Sequence, residues 1–302
     1  MKACDTKSGD SRATPVSETI QTVLSLFPGV GLLDRAFEER EEFSVVRGPD
    51  LIHGGDIRNF RVAAGVYGGI IAGPPCQGFS QANAHRFNPQ HPSVRNSVEM
   101  LELTVRLIEA ARPTWFLIEN VPNVPDVRVG PYIVQRIAIN DWECGGLQLR
   151  WRAIQFGHIE GWHLRPSRVN DRSFSRKKGR RPEAITTKPT SRHMTFAEQC
   201  RRQGLSEPVS LPGWTREAKF RAVGNGVPLS VGRVLAAAVA ECVSPANEND
   251  CLCGCGRSVS GPRQRSATAA CRKRLQMRRE AAAKFGSPNH DFAEMADQRS
   301  SI

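Results

Sequence analysis

Short apolar runs rich in β-branched residues recur along the first half of the chain, and most of them end at a glycine or a polar residue. The clearest runs occupy residues 22–27, 69–72 and 115–118, and weaker ones occupy 43–46 and 151–156. Runs of this length are typical of buried strands. The pattern therefore predicts a sheet of short strands.

Segments with helical periodicity separate these runs. Residues 32–42 and 97–111 place apolar side chains three or four positions apart, and residues 195–203 and 229–243 predict two further helices. The segment at 195–203 begins with a capping-box pattern. Strands that alternate with helices predict an α/β fold with a doubly wound, parallel or mixed sheet.

The net charge of +12 is concentrated in two segments. Residues 158–193 contain ten Lys and Arg against three Asp and Glu, and residues 251–302 contain ten against four. The other 214 residues together carry a net charge of −1. Such basic clusters indicate a polyanionic partner, with nucleic acid first, and solubilising surface charge is the alternative.

Other features restrict the class of protein. No run of about 18 apolar residues occurs, so we expect no membrane span. Residues 1–18 are polar and lack the apolar centre of a signal peptide, and nine scattered cysteines do not suggest a disulfide scaffold. We therefore expect a cytoplasmic protein with disordered ends at 1–20 and 286–302.

Three predicted turns carry residues suited to binding or catalysis. Gly29-x-Gly31 lies between a strand and a helix, where glycines let a ligand approach the backbone, although a tight structural turn uses the same residues. Cys76 follows two prolines after an apolar run, and a rigidly presented thiol is suited to nucleophilic attack, although a lone cysteine is more often structural. Glu119 follows another run and could act as an acid, a base, a hydrogen-bond partner or a cap.

Two segments further along the chain are less specific. Long polar side chains at Gln148, Arg150 and Arg152 alternate along one face of a predicted strand. Such an array suits a phosphate or a base edge, and an exposed strand edge is the alternative. Residues 224–228 have the composition of a turn.

The order of these features is more specific than any one of them. The chain resembles the DNA cytosine-5 methyltransferases over about residues 22–240. The resemblance implies a Rossmann-like methyltransferase fold, in which a catalytic domain at 21–157 and 194–243 is interrupted by a short target-recognition lobe at 158–193. It rests on motifs in the family's order, which are Phe27-Pro28-Gly29-Val30-Gly31, Gly55-Asp56-Ile57, Pro75-Cys76-Gln77, Glu119-Asn120-Val121, Gln148-x-Arg150-x-Arg152, Thr195-x-x-Glu198 with Gln203-Gly204, and Gly224-Asn225-x-Val227-Pro228.

The resemblance implies methyl transfer from S-adenosylmethionine to C5 of a cytosine flipped out of double-stranded DNA. It implies that Cys76 adds to C6, that Glu119 contacts the N3 and N4 edge of the base, and that Arg150 and Arg152 hold the flipped nucleotide. It is compatible with a monomer and with restriction-modification, phage self-protection or regulation. An RNA cytosine-5 methyltransferase is the alternative within the family, and a non-catalytic DNA-binding regulator is the alternative from another class. A nicotinamide oxidoreductase would leave Cys76 unexplained.

The resemblance also implies ligand contacts. The glycine turn, residues 27–31, surrounds the methionine and ribose of the cofactor. Asp56 and Ile57 hold its adenine, and Asp50 is the candidate acid for its ribose. The complete set of cofactor candidates is Phe27, Pro28, Gly29, Val30, Gly31, Asp50, Asp56, Ile57, Gly73, Pro74, Asn225 and Val227. The candidates for DNA contact are Gln77, Ser80, Arg165, Arg168, Arg176, Lys177, Lys178, Arg180 and Arg181.

The cysteines of the basic tail suggest a metal site. Cys251, Cys253 and Cys255 precede Cys271, with fifteen residues between the last two. Four thiolates could hold a structural Zn²⁺, and free thiols in a basic tail are the alternative. Residues 251–285 are therefore a candidate zinc module, whose arginines would add nonspecific affinity for DNA.

Overall fold

The computed structural model describes residues 20–169, 194–241, 268–273 and 276. Within these ranges, three single 3-10 turns occupy Leu51–His53, Ile57–Asn59 and Trp142–Cys144. The main elements, in chain order, are β1 (Gln21–Leu26), α1 (Leu32–Glu38), β2 (Phe43–Arg47), β3 (Gly69–Ala72), α2 (Pro92–Ala111), β4 (Trp115–Asn120), β5 (Ile133–Asn140), β6 (Trp151–His158), α3 (Phe196–Arg202), α4 (Arg216–Asn225) and α5 (Leu229–Ala240).

The sheet has a parallel half and an antiparallel half. Its strand order is β2-β1-β3-β4-β6-β5, in which β2, β1, β3 and β4 are parallel and β6 pairs antiparallel with both β4 and β5. The strands that follow β1 in the chain lie on its two opposite sides. Such a switch point opens a crevice at the carboxyl ends of the strands. The prediction of a doubly wound, mixed α/β sheet is confirmed.

Helices cover both faces of the sheet, which explains the continuous apolar runs in the sequence. Successive residues of β1 point to opposite faces. Val23 belongs to the buried cluster under α1 and α5, and Leu24 belongs to the cluster under α2. The helices α1 and α5 cross closely, because a Cβ on Gly232 would lie only 2.7 Å from the Cβ of Ala36.

Several predicted boundaries are wrong. The first helix ends at Glu38 rather than at residue 42, and α2 begins at Pro92 rather than at residue 97. Proline is well tolerated in the first turn of a helix, because the N–H it lacks has no intrahelical partner there. The third predicted helix is confirmed, and the Thr195 hydroxyl accepts a hydrogen bond from the Glu198 N–H at 3.1 Å.

Two elements, β5 and α4, have no counterpart among the predicted ones. Strand β5 alternates buried and part-exposed residues, and α4 is too polar for its periodicity to be visible. A signal for α4 exists in Thr215, whose hydroxyl accepts from the Ala218 N–H at 3.2 Å as an N-cap. Gly224 and Asn225 close α4, so the predicted turn at 224–228 is shorter than expected and occupies 226–228.

One helical stretch, Arg216–Ala240, is long and apolar enough by composition to cross a membrane. It consists of α4 and α5, which residues 226–228 separate, and most of its apolar window is buried inside the fold. Packing of α5 in the core therefore accounts for its composition.

Only part of the two basic segments is described. Residues 159–169 follow β6, and Leu164 exchanges two hydrogen bonds with the Gln135 side chain of β5, at 2.8 and 3.1 Å. The rest of the predicted lobe and almost all of the predicted zinc module lie outside the described residues. The predicted site residues outside them are Arg176, Lys177, Lys178, Arg180, Arg181, Cys251, Cys253 and Cys255.

Candidate active site

Three strands of the parallel half end at one place. Strand β1 continues into a turn at Phe27, β3 continues into Gly73, and β4 ends with Glu119 and Asn120. A Cβ on Gly73 would lie 3.9 Å from the Phe27 carbonyl oxygen and 4.0 Å from Oε2 of Glu119. The predicted cofactor turn and the predicted catalytic carboxylate are therefore neighbours.

The loop that carries Cys76 is held on both sides of the thiol. Before it, the Asn120 side-chain amide donates to the Pro74 carbonyl at 3.1 Å. After it, the Gly78 N–H donates to the Ser97 hydroxyl of α2 at 2.9 Å. Contacts from β4 and from α2 thus fix the position of the half-buried Cys76.

Glu119 and Arg152 form an ion pair that is nearly excluded from water. Arg152 Nε lies 2.6 Å from Glu119 Oε1, and the two side chains are 11% and 10% exposed. Glu119 lies opposite Ile154 in the β4–β6 register, so Arg152, two residues earlier on the same face, is its diagonal neighbour. A buried, charge-assisted pair of this kind holds the carboxylate in one orientation.

The electrostatic environment of Cys76 comes from the same residues. Burial raises the pKa of the Cys76 thiol, and the negative charge of Glu119 raises it further. The positive charges of Arg152 and Arg150 act in the opposite direction. The protein without ligands therefore keeps this sulfur protonated, and any ligand that neutralises Glu119 favours the thiolate.

Arg150 occupies a different environment from Arg152. Its Nη2 donates to the Gly224 carbonyl at 2.7 Å and to the Gly226 carbonyl at 3.2 Å, at the end of α4. Burial, followed by the like charge of Arg152, lowers the pKa of Arg150 to about 9. The guanidinium remains charged at neutral pH and contributes to the field at Cys76.

The prediction that Gln148, Arg150 and Arg152 alternate along one strand face is wrong. Strand β6 begins at Trp151, so the first two residues precede it. Gln148 is fully buried and donates to the Arg202 carbonyl at 2.6 Å. Of the three side chains, only Arg152 projects from β6 toward Glu119.

The turn after β1 has an unusual backbone. Phe27, Gly29 and Gly31 all have positive φ angles, of 57°, 56° and 74°. A phenylalanine rarely adopts this conformation, and strained backbone of this kind often clusters at ligand-binding and catalytic sites. A Cβ on Gly29 would meet no atom within 4 Å, so the space in front of the turn is open. This open cradle fits a ligand that approaches the backbone.

Asp50, the predicted ribose acid, contacts the glycine turn itself. Its Oδ2 accepts from the Gly29 N–H at 2.9 Å, and its Oδ1 accepts from the Ile52 N–H at 3.0 Å. His53 Nε2 lies 3.0 Å from the Gly29 carbonyl oxygen. Residues 50–53 thus hold both backbone polar groups of Gly29, and the role of His53 has no recognisable signal in the sequence. Each carboxylate oxygen of Asp50 retains acceptor capacity for a ligand.

Asp56 is the N-cap of the second 3-10 turn, and Ile57 is its first residue. Asp56 Oδ1 accepts from the Arg58 N–H at 2.9 Å, and Arg58 Nε donates to Glu99 of α2 at 2.8 Å. Ile57 is 4% exposed and packs in the cluster under α2. Arg58 therefore connects the predicted adenine-binding carboxylate to α2.

The segment that follows α4 packs beside the glycine turn. A Cβ on Gly226 would lie 2.6 Å from Leu32 Cδ1, at the start of α1. The side chain of Val227 is buried in the cluster under α1 and α5, whereas Asn225 is exposed. Of these two predicted cofactor contacts, only Asn225 has a side chain accessible to a ligand.

Four predicted DNA contacts fall within the described residues. Gln77 is exposed and Ser80 is half-buried on the Cys76 loop, and Arg165 is exposed after β6. Arg168 Nε lies 3.2 Å from the buried Glu143 carboxylate. The Arg168 side chain therefore packs against the segment that follows β5, instead of extending into solvent.

The predicted zinc ligands are described in part. Cys271 is fully buried, and its N–H donates to the Thr268 hydroxyl at 3.2 Å. Among the described residues, no group of three or more His, Cys, Asp or Glu could hold a metal ion. Since the other three cysteines lie outside that part of the chain, the zinc site stays a prediction.

Comparisons with known proteins agree with this geometry. Residues 51–186 match the family model described as C-5 cytosine-specific DNA methylase. The Entamoeba histolytica methyltransferase EhMeth is 14% identical, with a TM-score of 0.53 over 73% of this chain and 98% of that chain. The S. pombe Dnmt2 methyltransferase and a Spodoptera frugiperda DNMT2 mutant are each 13% identical, with TM-scores of 0.52 over 73% of this chain and 99% of theirs. At these identities the similarity shows a shared fold. No curated protein sequence matches the chain.

The matched region contains all four predicted catalytic residues. Cys76, Glu119, Arg150 and Arg152 lie between residues 51 and 186, and in the fold the charges of the last three act on the Cys76 thiol. Over residues 51–186, the chain is therefore similar to the C-5 cytosine-specific DNA methylases.

Proposed function

We propose that this protein transfers a methyl group from S-adenosylmethionine to C5 of cytosine in double-stranded DNA, with Cys76 as the nucleophile. The observation that carries the proposal is the placement of the Cys76 thiol in the field of Glu119, Arg152 and Arg150, beside an open glycine turn. The family match over residues 51–186 supports cytosine as the substrate base and DNA as the polymer.

Cys76 supplies the activation that C5 requires. C5 of cytosine is a weak nucleophile, and addition of the thiolate at C6 forms an S–C6 bond that raises the electron density at C5. Bound S-adenosylmethionine would supply the electrophilic methyl group that C5 takes up. Removal of the C5 proton by a base then lets the S–C6 bond break, and Cys76 leaves as a thiolate.

Glu119 stabilises the charge that develops on the ring. As sulfur adds to C6, negative charge accumulates at N3, and a proton shared between N3 and the Glu119 carboxylate offsets it. Arg152 holds that carboxylate at 2.6 Å, so it requires no reorganisation during the reaction. A carboxylate that shares a proton repels the thiolate less, so binding of the base also activates Cys76.

Two other parts of the site match the remaining requirements. Cys76 is half-buried at the edge of the sheet, and a ring within a duplex is inaccessible to it, so the target base must be flipped out. The glycine turn, Asp50 and Asp56 would hold the cofactor, because the open space at Gly29 admits a ligand directly against the backbone. Asn225 would close that site from the end of α4.

The direct test is methyl transfer from labelled S-adenosylmethionine to matched duplex DNA, single-stranded DNA and RNA. We expect label in the duplex, retained as 5-methylcytosine after nucleoside digestion. Label confined to RNA would replace the DNA proposal by its RNA alternative. DNA binding without label in any polymer would favour a non-catalytic regulator.

The covalent step has its own test. Duplex DNA that contains 5-fluorocytosine has no C5 proton to lose, so methylation should leave the DNA attached to Cys76. Peptide mapping should find the adduct on the Cys76 peptide. An adduct on a different cysteine would contradict the assignment of the nucleophile.

A further inference from the structure

A fully buried glutamine, Gln203, lies where three segments of the chain meet. Its Oε1 accepts from Gln148 Nε2 at 3.1 Å, and its Nε2 donates to the carbonyls of Val223 at 2.6 Å and Gly226 at 3.2 Å. Its backbone carbonyl accepts from the Leu229 N–H at 2.9 Å. One side chain thus connects the segment before β6 to the end of α4.

Arg150 completes a ring of hydrogen bonds with this glutamine. Arg150 Nη2 and Gln203 Nε2 donate to the same Gly226 carbonyl, each at 3.2 Å. Gln148 is bonded to Gln203 and lies two residues before Arg150 in the chain. The ring therefore passes from Gln148 to Gln203, to Gly226, to Arg150 and back along the backbone.

Gly226 also packs against the start of α1, the helix that follows the glycine turn. A Cβ on Gly226 would lie only 2.6 Å from Leu32 Cδ1, and Leu32 directly follows Gly31. Any displacement of the Gly226 backbone would therefore be transmitted to the wall beside the glycine turn. Arg150, on the other side of the ring, contributes to the field at Cys76.

We propose that Gln203 is a positioning residue that sets the spacing between Arg150, on the target-base side, and residues 226–228, on the cofactor side. This inference rests on the proposed function, which assigns those two sides. A glutamine is suited to this place because one amide supplies an acceptor and two donors. Gln203 acts through Gly226 and Gln148.

The test compares substitutions at two buried glutamines, Gln203 and Gln199. Gln203→Leu removes the ring contacts, and Gln199→Leu changes a glutamine that is 1% exposed and one helical turn earlier in α3. We expect Gln203→Leu to weaken calorimetric binding of S-adenosylhomocysteine about tenfold and to raise the cofactor KM by a similar factor. Its kcat should also fall, because Arg150 shifts. Gln199→Leu should leave binding, KM and kcat within about twofold.

Two further variants separate positioning from folding. Gln203→Glu keeps the size and an acceptor but loses both donors toward Val223 and Gly226, so we expect weakening comparable to that of the leucine variant. It replaces the leucine variant if the latter does not fold. The double variant Gln148→Leu with Gln203→Leu should bind the ligand no more weakly than Gln203→Leu alone, because one substitution already opens the ring.

The outcomes distinguish this inference from the proposed function. If the unmodified protein binds no S-adenosylhomocysteine and transfers no methyl group, the proposed function fails. If the unmodified protein binds the ligand and transfers methyl groups, two results would overturn the positioning role. One is a folded Gln203→Glu variant with the affinity, KM and kcat of the unmodified protein. The other is a Gln203→Leu variant with the values of Gln199→Leu. Additive losses in the double variant would also overturn it.

Discussion

The parallel and antiparallel halves of the sheet contribute to the candidate site in different ways. The parallel half supplies the thiol, the carboxylate and the glycine turn, each located where a strand ends. The antiparallel half, with α3 and α4, supplies the two guanidinium groups. Strand ends position the first set locally, whereas contacts between distant segments position the second.

Buried polar side chains hold the segment between β5 and β6. Asn140 Oδ1 accepts from the Arg150 N–H at 3.0 Å, and Asp141 Oδ2 accepts from the Gln148 N–H at 2.9 Å. The Ser230 hydroxyl donates to the other oxygen of Asp141, and burial raises the pKa of that carboxyl. We therefore expect substitutions in the parallel half to affect activity first, and substitutions in this polar network to affect stability first.

The largest effect is expected at Cys76. Cys76→Ser should lower methyl transfer by more than about 1,000-fold, because a hydroxyl is far less nucleophilic than a thiolate. Labelled transfer to duplex DNA measures the loss, and thermal unfolding should show an unchanged fold. Cys144→Ala, at a buried cysteine in the cluster under α1 and α5, should retain most of the activity. Substantial turnover by Cys76→Ser would contradict the mechanism, and loss of its fold would break the contrast between the two halves.

Glu119→Gln should have the next largest effect, a fall in kcat of roughly 100- to 1,000-fold, because the carboxylate stabilises charge only as the reaction proceeds. The same variant tests the electrostatics of the site. Glu119 raises the pKa of Cys76, so its neutralisation should move the pH profile of Cys76 alkylation to lower pH.

Peptide-resolved alkylation with iodoacetamide measures that profile. Cys144 is an internal control, because burial raises its pKa to about 12 and it should remain unreactive. Arg152→Gln should move the Cys76 profile in the opposite direction, since Arg152 lowers the pKa of the thiol. A profile that does not move in Glu119→Gln would separate Cys76 from Glu119 and contradict the shared site.

In the antiparallel half, Asp141→Ala should reduce the free energy of unfolding by about 2–3 kcal/mol. The substitution leaves the Gln148 N–H and the Ser230 hydroxyl without their buried acceptor. Urea unfolding measures the change. The control is Asp126→Ala, because the Asp126 side chain is 49% exposed in its pair with Arg136, and we expect a change below about 0.5 kcal/mol. Equal stability of the two variants would contradict a stabilising role for this polar network.

The smallest effect concerns the glycine turn. Asp50→Ala removes the acceptor of the Gly29 and Ile52 N–H groups, and should weaken S-adenosylhomocysteine binding by about 1 kcal/mol, or roughly fivefold. Thr195→Ala removes the α3 cap and should reduce stability by a similar amount without changing that affinity. An unchanged affinity in Asp50→Ala would show that the turn holds its conformation without this carboxylate.

The sequence predicted the parallel half well because its information is local. Strands β1, β3 and β4 lie within two residues of their predicted positions, since burial on both faces produces continuous apolar runs. Strand β5, at the edge of the sheet, mixes polar and apolar residues and was not predicted. Helix α4 was also missed, because its polar residues hide the helical period.

By itself, the sequence determined the class of fold, the strand ends that carry Cys76 and Glu119, and the order of the family's motifs. Only the tertiary structure decided how the cationic groups reach them. Arg152 meets Glu119 through the register of β4 and β6, and Arg150 reaches the Gly224 carbonyl across 74 positions of the chain. Hydrogen bonds between such distant residues leave no periodic pattern in the sequence, so they become visible only when the chain is folded.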